Sequence, residues 1–261
     1  MDNYLQFAKK LALTAGGIML TYFKQGVEFT VKKDKSIVTE ADIKINQMVI
    51  DQITKIYPVH SILGEEKTQD NRSDFAWVCD PIDGTVPFSK GIPISVFSLA
   101  LVKNGEPQLG VVYDPFMKRM YSAVKGEGAF LDDRLIMVSD IRAKIGATIN
   151  VEWWFSAQYD ISRQMYQFSL DTNTDMYQIG SVTAASCLVA SGQLEAVVFA
   201  GGKGKNVDIA AVKVIVEEAG GVVTDLFGSD QRYDDDIKGA VLANKKIHQT
   251  IISYTQDLKK V

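Results

Sequence analysis

Asp80 and Asp83 stand three residues apart in the string WVCDPIDGT, where an apolar run ends and directly before Gly84 and Thr85. Two carboxylates placed this way are oxygen donors suited to a hard cation such as Mg2+. Pro81 has no N–H to donate, so the chain is expected to leave a central strand there. Asp80 then falls near the carboxyl end of that strand, where the sites of α/β proteins commonly lie. Gly84 lets the backbone bend and a ligand come close. A helix or turn opening at Gly84 and Thr85 would offer free N–H groups to an anion. Donors for a cation beside donors for an anion suit a metal-bound phosphate. A lone Asp-Gly would read as a turn with Asp83 bonded to nearby backbone; the full string carries more than that.

Other acids sit at element ends elsewhere in the chain. Glu65 and Glu66 follow Gly64 in SILGEE, where they also read as a solvated strand end. Asp42 closes a capping box that starts at Thr39, and Asp208 precedes IAAVKVIVEEAGG as a helix N-cap. Each acid has a structural explanation taken singly; together they can converge on one oxygen-rich site. Several other chemistries are excluded. An aspartyl nucleophile with its acid at Asp-x-Asp spacing cannot be made, because Ile82 stands two residues after Asp80 and Pro81 two before Asp83. The sixth residues after Cys79 and Cys187 are Thr85 and Gln193, not arginine. There are only two histidines and no HExxH or Cys/His cluster, which argues against zinc. Cys79 reads as a small buried hydrophobe. The loop AGGKGKN is no P-loop, since Asn206 follows Gly204-Lys205.

The elements that must position these residues can be read from periodicity. Residues 4–23 form an amphipathic helix and residues 27–33 a strand. TEAD at 39–42 opens a helix carrying Ile45, Met48, Val49, Ile53 and Ile56, which ends before Pro58. SILGEE and FAWVCD are short strands. A β-hairpin turns at Asn104-Gly105, and RMYSAV and RLIMVS extend the run of strands to residue 139. The second half alternates strands and helices: strands at ATINVEW, DMYQIG, LEAVVFA, VVTD and GAVLA, helices at YDISRQMYQFSL, SVTAASCLVASG, DIAAVKVIVEEAGG and the closing KKIHQTIISYTQDLKK. The fold class is α/β, with an α+β first half (1–142) and an α/β second half (143–261) built of layered sheets and helices. Trp153-Trp154-Phe155 is expected in the core, with a pocket wall or a subunit interface as the alternatives, and Asp234-Asp235-Asp236 in a solvated loop. The chain has 261 residues, 46% hydrophobic and 23% charged, as a globular protein should. A net charge of -4 argues against general nucleic-acid binding. No apolar run reaches membrane length and no signal peptide is visible. Two cysteines are too few for a disulfide framework, which suggests the cytoplasm.

Taken in order, VTEAD (38–42), GEE (64–66), WVCDPIDGT (77–85) and VDIAAVKVIVEEAGG (207–221) resemble the inositol monophosphatase family, as do GVVYDP (110–115) and GEGAF (126–130). The resemblance implies a layered αβαβα sandwich and a Mg2+-dependent phosphomonoesterase, lithium-sensitive in many members and often homodimeric. It implies that Glu65, Asp80 and the Ile82 carbonyl hold one Mg2+, that Asp80, Asp83 and Asp208 hold a second, and that Glu65 supports a third. Two such ions about 4 Å apart can clamp the attacking and leaving oxygens of an in-line displacement. The implied reaction is hydrolysis by a metal-activated water, with no covalent intermediate. Thr85 paired with Asp42, together with Glu65, is the implied catalytic group, and the Gly84 and Thr85 amides would hold phosphate oxygens. Gly180, Ser181 and Val182 are implied to meet a small phosphorylated metabolite, as is the loop of Gly201, Lys203 and Lys205. This loop departs from the inositol-type pattern: Gly201 stands where an acid contacts substrate hydroxyls, and Val207 replaces the usual Trp. Lys203 and Lys205 could meet a second phosphate, which leaves open a bisphosphate-selective enzyme acting on 3′-phosphoadenosine 5′-phosphate or fructose 1,6-bisphosphate. They could equally form a solvated loop. A non-catalytic phosphometabolite-binding protein is the remaining alternative.

Overall fold

The computed structural model of the chain describes residues 1–32 and 36–260. Two sheets organise it. The larger has seven strands in sequence order, β3 (Ser61–Gly64), β4 (Phe75–Asp83), β5 (Val96–Lys103), β6 (Glu106–Asp114), β7 (Arg119–Val124), β8 (Ala129–Leu131) and β9 (Arg134–Leu135). All its neighbours are antiparallel except the parallel pair β3 and β4. The smaller sheet runs β11 (Asp175–Tyr177), β10 (Thr148–Glu152), β12 (Ala196–Phe199), β14 (Ala240–Ala243), β13 (Val222–Thr224). A separate antiparallel pair is formed by β1 (Phe29–Val31) and β2 (Ile37–Thr39). The strand expected over 27–33 is thus shorter, and its last residue, Lys33, lies outside the described residues.

Helices fill the spaces around the sheets and make the mixed α/β sandwich. Helices α1 (Asp2–Gln25) and α2 (Glu40–Ile56) cover one face of the larger sheet, where Leu11, Met19, Ile45 and Ile53 pack with Trp77, Leu99 and Val111. Helices α5 (Val182–Ala190) and α6 (Asn206–Glu218) lie between the sheets, joining Val78, Ala100 and Val112 to Val197, Phe199 and Leu242. Helices α4 (Ser162–Thr172) and α7 (His248–Thr255) close the far face of the smaller sheet with Phe168 and Ile251 against Val198 and Val241. A single turn, α3 (Thr85–Ser89), follows β4. Successive residues of β4 serve opposite faces, Trp77 and Cys79 toward α1 and α2, Val78 toward α5 and α6. A strand buried on both faces must be apolar throughout. Helix α6 is likewise buried all round from Asn206 to Val216, as its sandwiched position demands.

Four expectations change. Strand β4 does not end at Asp80: Asp80 pairs with Ser98, the register slips, and pairing resumes between Asp83 and Val96. The neighbour on the other side, β3, has already ended with Gly64 opposite Cys79. Pro81 therefore sits in a bulge along an open edge, where a missing N–H costs no ladder bond. Helix α6 begins at Asn206, two residues early, so Asp208 lies in its first turn and is not its N-cap. The segment RLIMVS is strand only at Arg134–Leu135. Trp154 packs near Phe199 with ring centroids 5.5 Å apart, but Trp153 and Phe155 are 41% and 77% exposed, not core.

One glycine sets the distance between the larger sheet and α6. A Cβ on Gly110 of β6 would lie 2.2 Å from the backbone oxygen of Ala211. Gly110→Ala must push α6, and Asp208 with it, away from the sheet. Overpacking of this kind costs about 1–3 kcal/mol, and urea denaturation should register that loss. A change within about 0.5 kcal/mol, the range of an unremarkable surface substitution, would mean that α6 does not depend on this contact.

Candidate active site

The acids reach one another because several element ends meet at one end of the larger sheet. Helix α2 starts at Thr39 with a full capping box, in which the Asp42 carboxylate accepts from the Thr39 amide at 2.9 Å and from the Thr39 hydroxyl. This leaves Asp42 Oδ1 for the Thr85 hydroxyl, 3.5 Å away, whose single proton can go there or to the Ile82 carbonyl at 3.1 Å. Asp42 is fully buried. Burial raises its pKa to about 7; the Thr39 bonds oppose the shift, and the charges of Glu65 and Glu66 add to it.

Asp80 Oδ1 accepts from the Ile82 amide at 3.0 Å, which folds the bulge around the carboxylate. Its pKa is pushed well up, by burial first and then by the charges of Glu65, Asp208 and Asp83. Asp83 reaches across to α5. Its Oδ2 accepts from the Thr183 amide at 2.5 Å and the Ser181 hydroxyl at 3.2 Å. The start of α5, whose amides lack helical partners, thereby stabilises a carboxylate. Burial still lifts the Asp83 pKa to about 6, against the Thr183 bonds and the charge of Lys205. The Thr183 hydroxyl then donates to the Asp208 carbonyl at 2.7 Å, fastening α5 to α6. Burial takes Asp208 to about 7 despite Lys205.

Gly84 has φ 87°, and a Cβ there would lie 3.1 Å from both Gly180 O and Ser181 Cβ. Only glycine lets the start of α3 meet the start of α5 so closely. The amides opening α3 carry no side-chain cap. Val182 is the buried first residue of α5. Gly180 donates its amide to Glu152 at 2.8 Å. Gly201 is buried with φ 71°, and a Cβ there would lie 2.1 Å from Gly239 N. A side chain at position 201 would collide with backbone, so the loop has a packing reason for glycine there. Lys203 is exposed. Lys205 instead turns inward, its Nζ 3.3 Å from Asp208 Oδ2 and 3.6 Å from Glu65 Oε1.

Some residues at this place escaped the sequence. Glu152 is buried at the carboxyl end of β10 and accepts from Asn150 at 2.9 Å as well as from Gly180; an acid ending an apolar strand was the available signal. Lys32 lies 2.7 Å from Glu66 and 3.8 Å from Glu65, with nothing in its surroundings to mark it. Asp236, expected to be merely solvated, accepts from the Gly204 amide at 2.7 Å and ties down the lysine loop. The Cys79 thiol is held well up by burial, consistent with an inert buried side chain.

All the donors are hard oxygens: four carboxylates and the Ile82 carbonyl. That set suits Mg2+ and suits zinc or copper poorly. Among the described residues, however, no group of three or more acid, His or Cys side chains is set to hold an ion as it stands.

The chain is similar to known proteins along its whole length. The inositol monophosphatase family model matches residues 1–260. The Nus factor SuhB of Pasteurella multocida is 34% identical over 238 residues, 87% of each chain. The fructose-1,6-bisphosphatase/inositol-1-monophosphatase of Thermotoga maritima is 31% identical over 263 residues, 99% of this chain and 97% of that one. The solved structure of a Thermotoga maritima IMPase superposes with a TM-score of 0.87 at 29% identity, covering 98% of both chains. With acid motifs, layer order and family model agreeing from one end of the chain to the other, the protein belongs to the inositol monophosphatase family and is a phosphatase.

Proposed function

We propose that the protein is a Mg2+-dependent phosphomonoesterase that hydrolyses a small phosphorylated polyol or sugar by direct attack of water. The observation that carries this reading is the meeting of Glu65, Asp80, Asp83 and Asp208 with the Asp42–Thr85 pair and the open start of α3. Glu65, Asp80 and the Ile82 carbonyl would hold one ion; Asp80, Asp83 and Asp208 a second; Glu65 would also serve a third, weaker one. When bound, Mg2+ supplies positive charge for the phosphoryl oxygens and makes a nearby water more acidic.

The protein's own groups do the rest. Thr39 occupies Asp42 Oδ2, which orients Oδ1 toward Thr85. The Thr85 hydroxyl can accept a hydrogen bond from the attacking water while donating its own proton to Asp42 Oδ1, so a proton leaves the water through a two-residue relay. The Gly84 and Thr85 amides would serve the phosphate as anion donors. Gly180, Ser181 and Val182, with Gly201, Lys203 and Lys205, would meet the rest of the substrate. The name of the Thermotoga relative makes inositol 1-phosphate and fructose 1,6-bisphosphate the first substrates to compare. The exposed Lys203 favours a second anionic group as the alternative. Exposed Met176 and Tyr177 on edge strand β11, with exposed Trp153, support a homodimer contact. Two free cysteines fit a cytoplasmic setting. Among the described residues no helix is long and apolar enough to cross a membrane.

Phosphate release should be measured with inositol 1-phosphate, fructose 1,6-bisphosphate and 3′-phosphoadenosine 5′-phosphate, in Mg2+ or in chelator. Turnover of one of them should require Mg2+, fall about a thousandfold in Asp80→Asn, and fall about a hundredfold or more in Thr85→Ala. Turnover that persists in chelator, or in Asp80→Asn, would contradict the reading. The ratio of kcat/KM between bisphosphate and monophosphate decides the alternative.

The relay also fixes a pH dependence. Asp42 must be ionised to take the proton, and burial raises its pKa to about 7. Below that value it is protonated, so kcat should fall as pH drops from 7 to 5. At saturating Mg2+, which keeps Asp83 and Asp208 ionised, Asp42→Asn should lower kcat about a hundredfold and abolish this limb. An unchanged acid limb in Asp42→Asn would assign the titration to another group.

A further inference from the structure

Lys205 occupies a place that helix chemistry disfavours. It immediately precedes the first turn of α6 and makes no side-chain cap, where the partial positive charge of a helix N-terminus repels an ammonium. The acids are what hold it there. Its Nζ bridges Asp208 Oδ2 at 3.3 Å and Glu65 Oε1 at 3.6 Å, one acid from α6 and one from the end of β3. In this arrangement the carboxylates surround an ammonium, and among the described residues no three of them are set around a common point for an ion.

The segment carrying Lys205 has the means to release it. Gly201 and Gly204 both take φ 71°, and a Cβ on Gly204 would meet nothing within 4 Å. The loop is tied down from behind by the Asp236 carboxylate on the Gly204 amide and by the bridge between Gly202 and Ile237. Its base is anchored while the four-carbon stem of Lys205 is only partly covered, at 29% side-chain exposure.

We propose, on the reading of this cluster as a Mg2+ site, that the Lys205 ammonium is its resident counter-ion, which holds Glu65 and Asp208 together in the metal-free protein and is displaced when a divalent ion loads. A tethered monovalent charge is always present at the cluster, whereas a divalent ion must come from solution and shed water to replace it. The lysine therefore sets the Mg2+ concentration at which the site fills, and it keeps the empty cluster from flying apart.

Isothermal titration calorimetry of MgCl2 into the chelator-stripped chain, with thermal unfolding in chelator and in saturating Mg2+, tests this. Lys205→Met should bind Mg2+ about tenfold more tightly, equivalent to about 1.4 kcal/mol. Its Tm should fall in chelator and return to that of the parent in Mg2+. Lys205→Gln should behave like Lys205→Met, and Lys205→Arg like the parent, which separates loss of charge from a packing defect in either variant. Unchanged or weaker Mg2+ binding in both neutral variants, with the parent still binding, would overturn the counter-ion role and leave the metal reading standing. A Tm loss equal with and without Mg2+ would also overturn it, by making Lys205 a fixed structural pair. Absence of Mg2+ binding in the parent and every variant would overturn the metal reading as well.

Discussion

Glu65, Asp80, Asp83 and Asp208 are crowded into one place, and burial there makes the three aspartates harder to ionise. Burial is the main reason that Asp83 and Asp208 rise to about 6 and about 7 and that Asp80 is pushed well above the usual carboxylate range, with neighbouring charges adding to it. Such repulsion would open the structure if nothing opposed it. The opposition is built from backbone and lysine. The start of α5 gives Asp83 an amide and a hydroxyl. Lys205 bridges Glu65 and Asp208, and Lys32 steadies Glu66. The fold around the site can be understood as the means of delivering these compensating groups to one place.

The layering follows from that need. Asp80 and Asp83 lie on β4 of the larger sheet and Glu65 directly follows β3, while Asp208 rides on α6, the helix buried between the two sheets. The Thr183 hydroxyl on the Asp208 carbonyl locks α5 to α6, and Gly110 lets α6 lie against β6 with almost no gap. An apolar core this extensive can hold the acids against their repulsion, since each fully buried aliphatic side chain contributes about 1.5–3 kcal/mol.

Much of this was legible in the sequence, for physical reasons that can be named. Apolar periodicity located the helices, and Asn104-Gly105 marked its hairpin because both residues accept positive φ. The Thr39–Asp42 box was visible as a cap, and the cap is what aims Asp42 at Thr85. Pro81 misled because the rule against proline holds for central strands, and β4 becomes an edge after Cys79. Asp208 looked like an N-cap because the apolar stripe starts at Ile209, yet Asn206 and Val207 are already helical and buried. Trp153 and Phe155 were expected in the core on hydrophobicity alone, but the strand ends at Glu152 and they project outward. Long-range pairings left no local trace: the grip of Asp236 on Gly204 spans 32 residues, and that of Lys205 on Glu65 joins separate sheet layers.

On the function we propose, this repelling oxygen cluster receives divalent cations. Anomalous diffraction from crystals soaked in MnCl2, an oxygen-seeking stand-in for Mg2+, tests it most directly. The account predicts peaks between Asp80 and Glu65 and between Asp80, Asp83 and Asp208, with the Lys205 ammonium moved away from both carboxylates. Crystals with no peak at the cluster, and Lys205 still bridging Glu65 and Asp208 at high Mn2+, would contradict it.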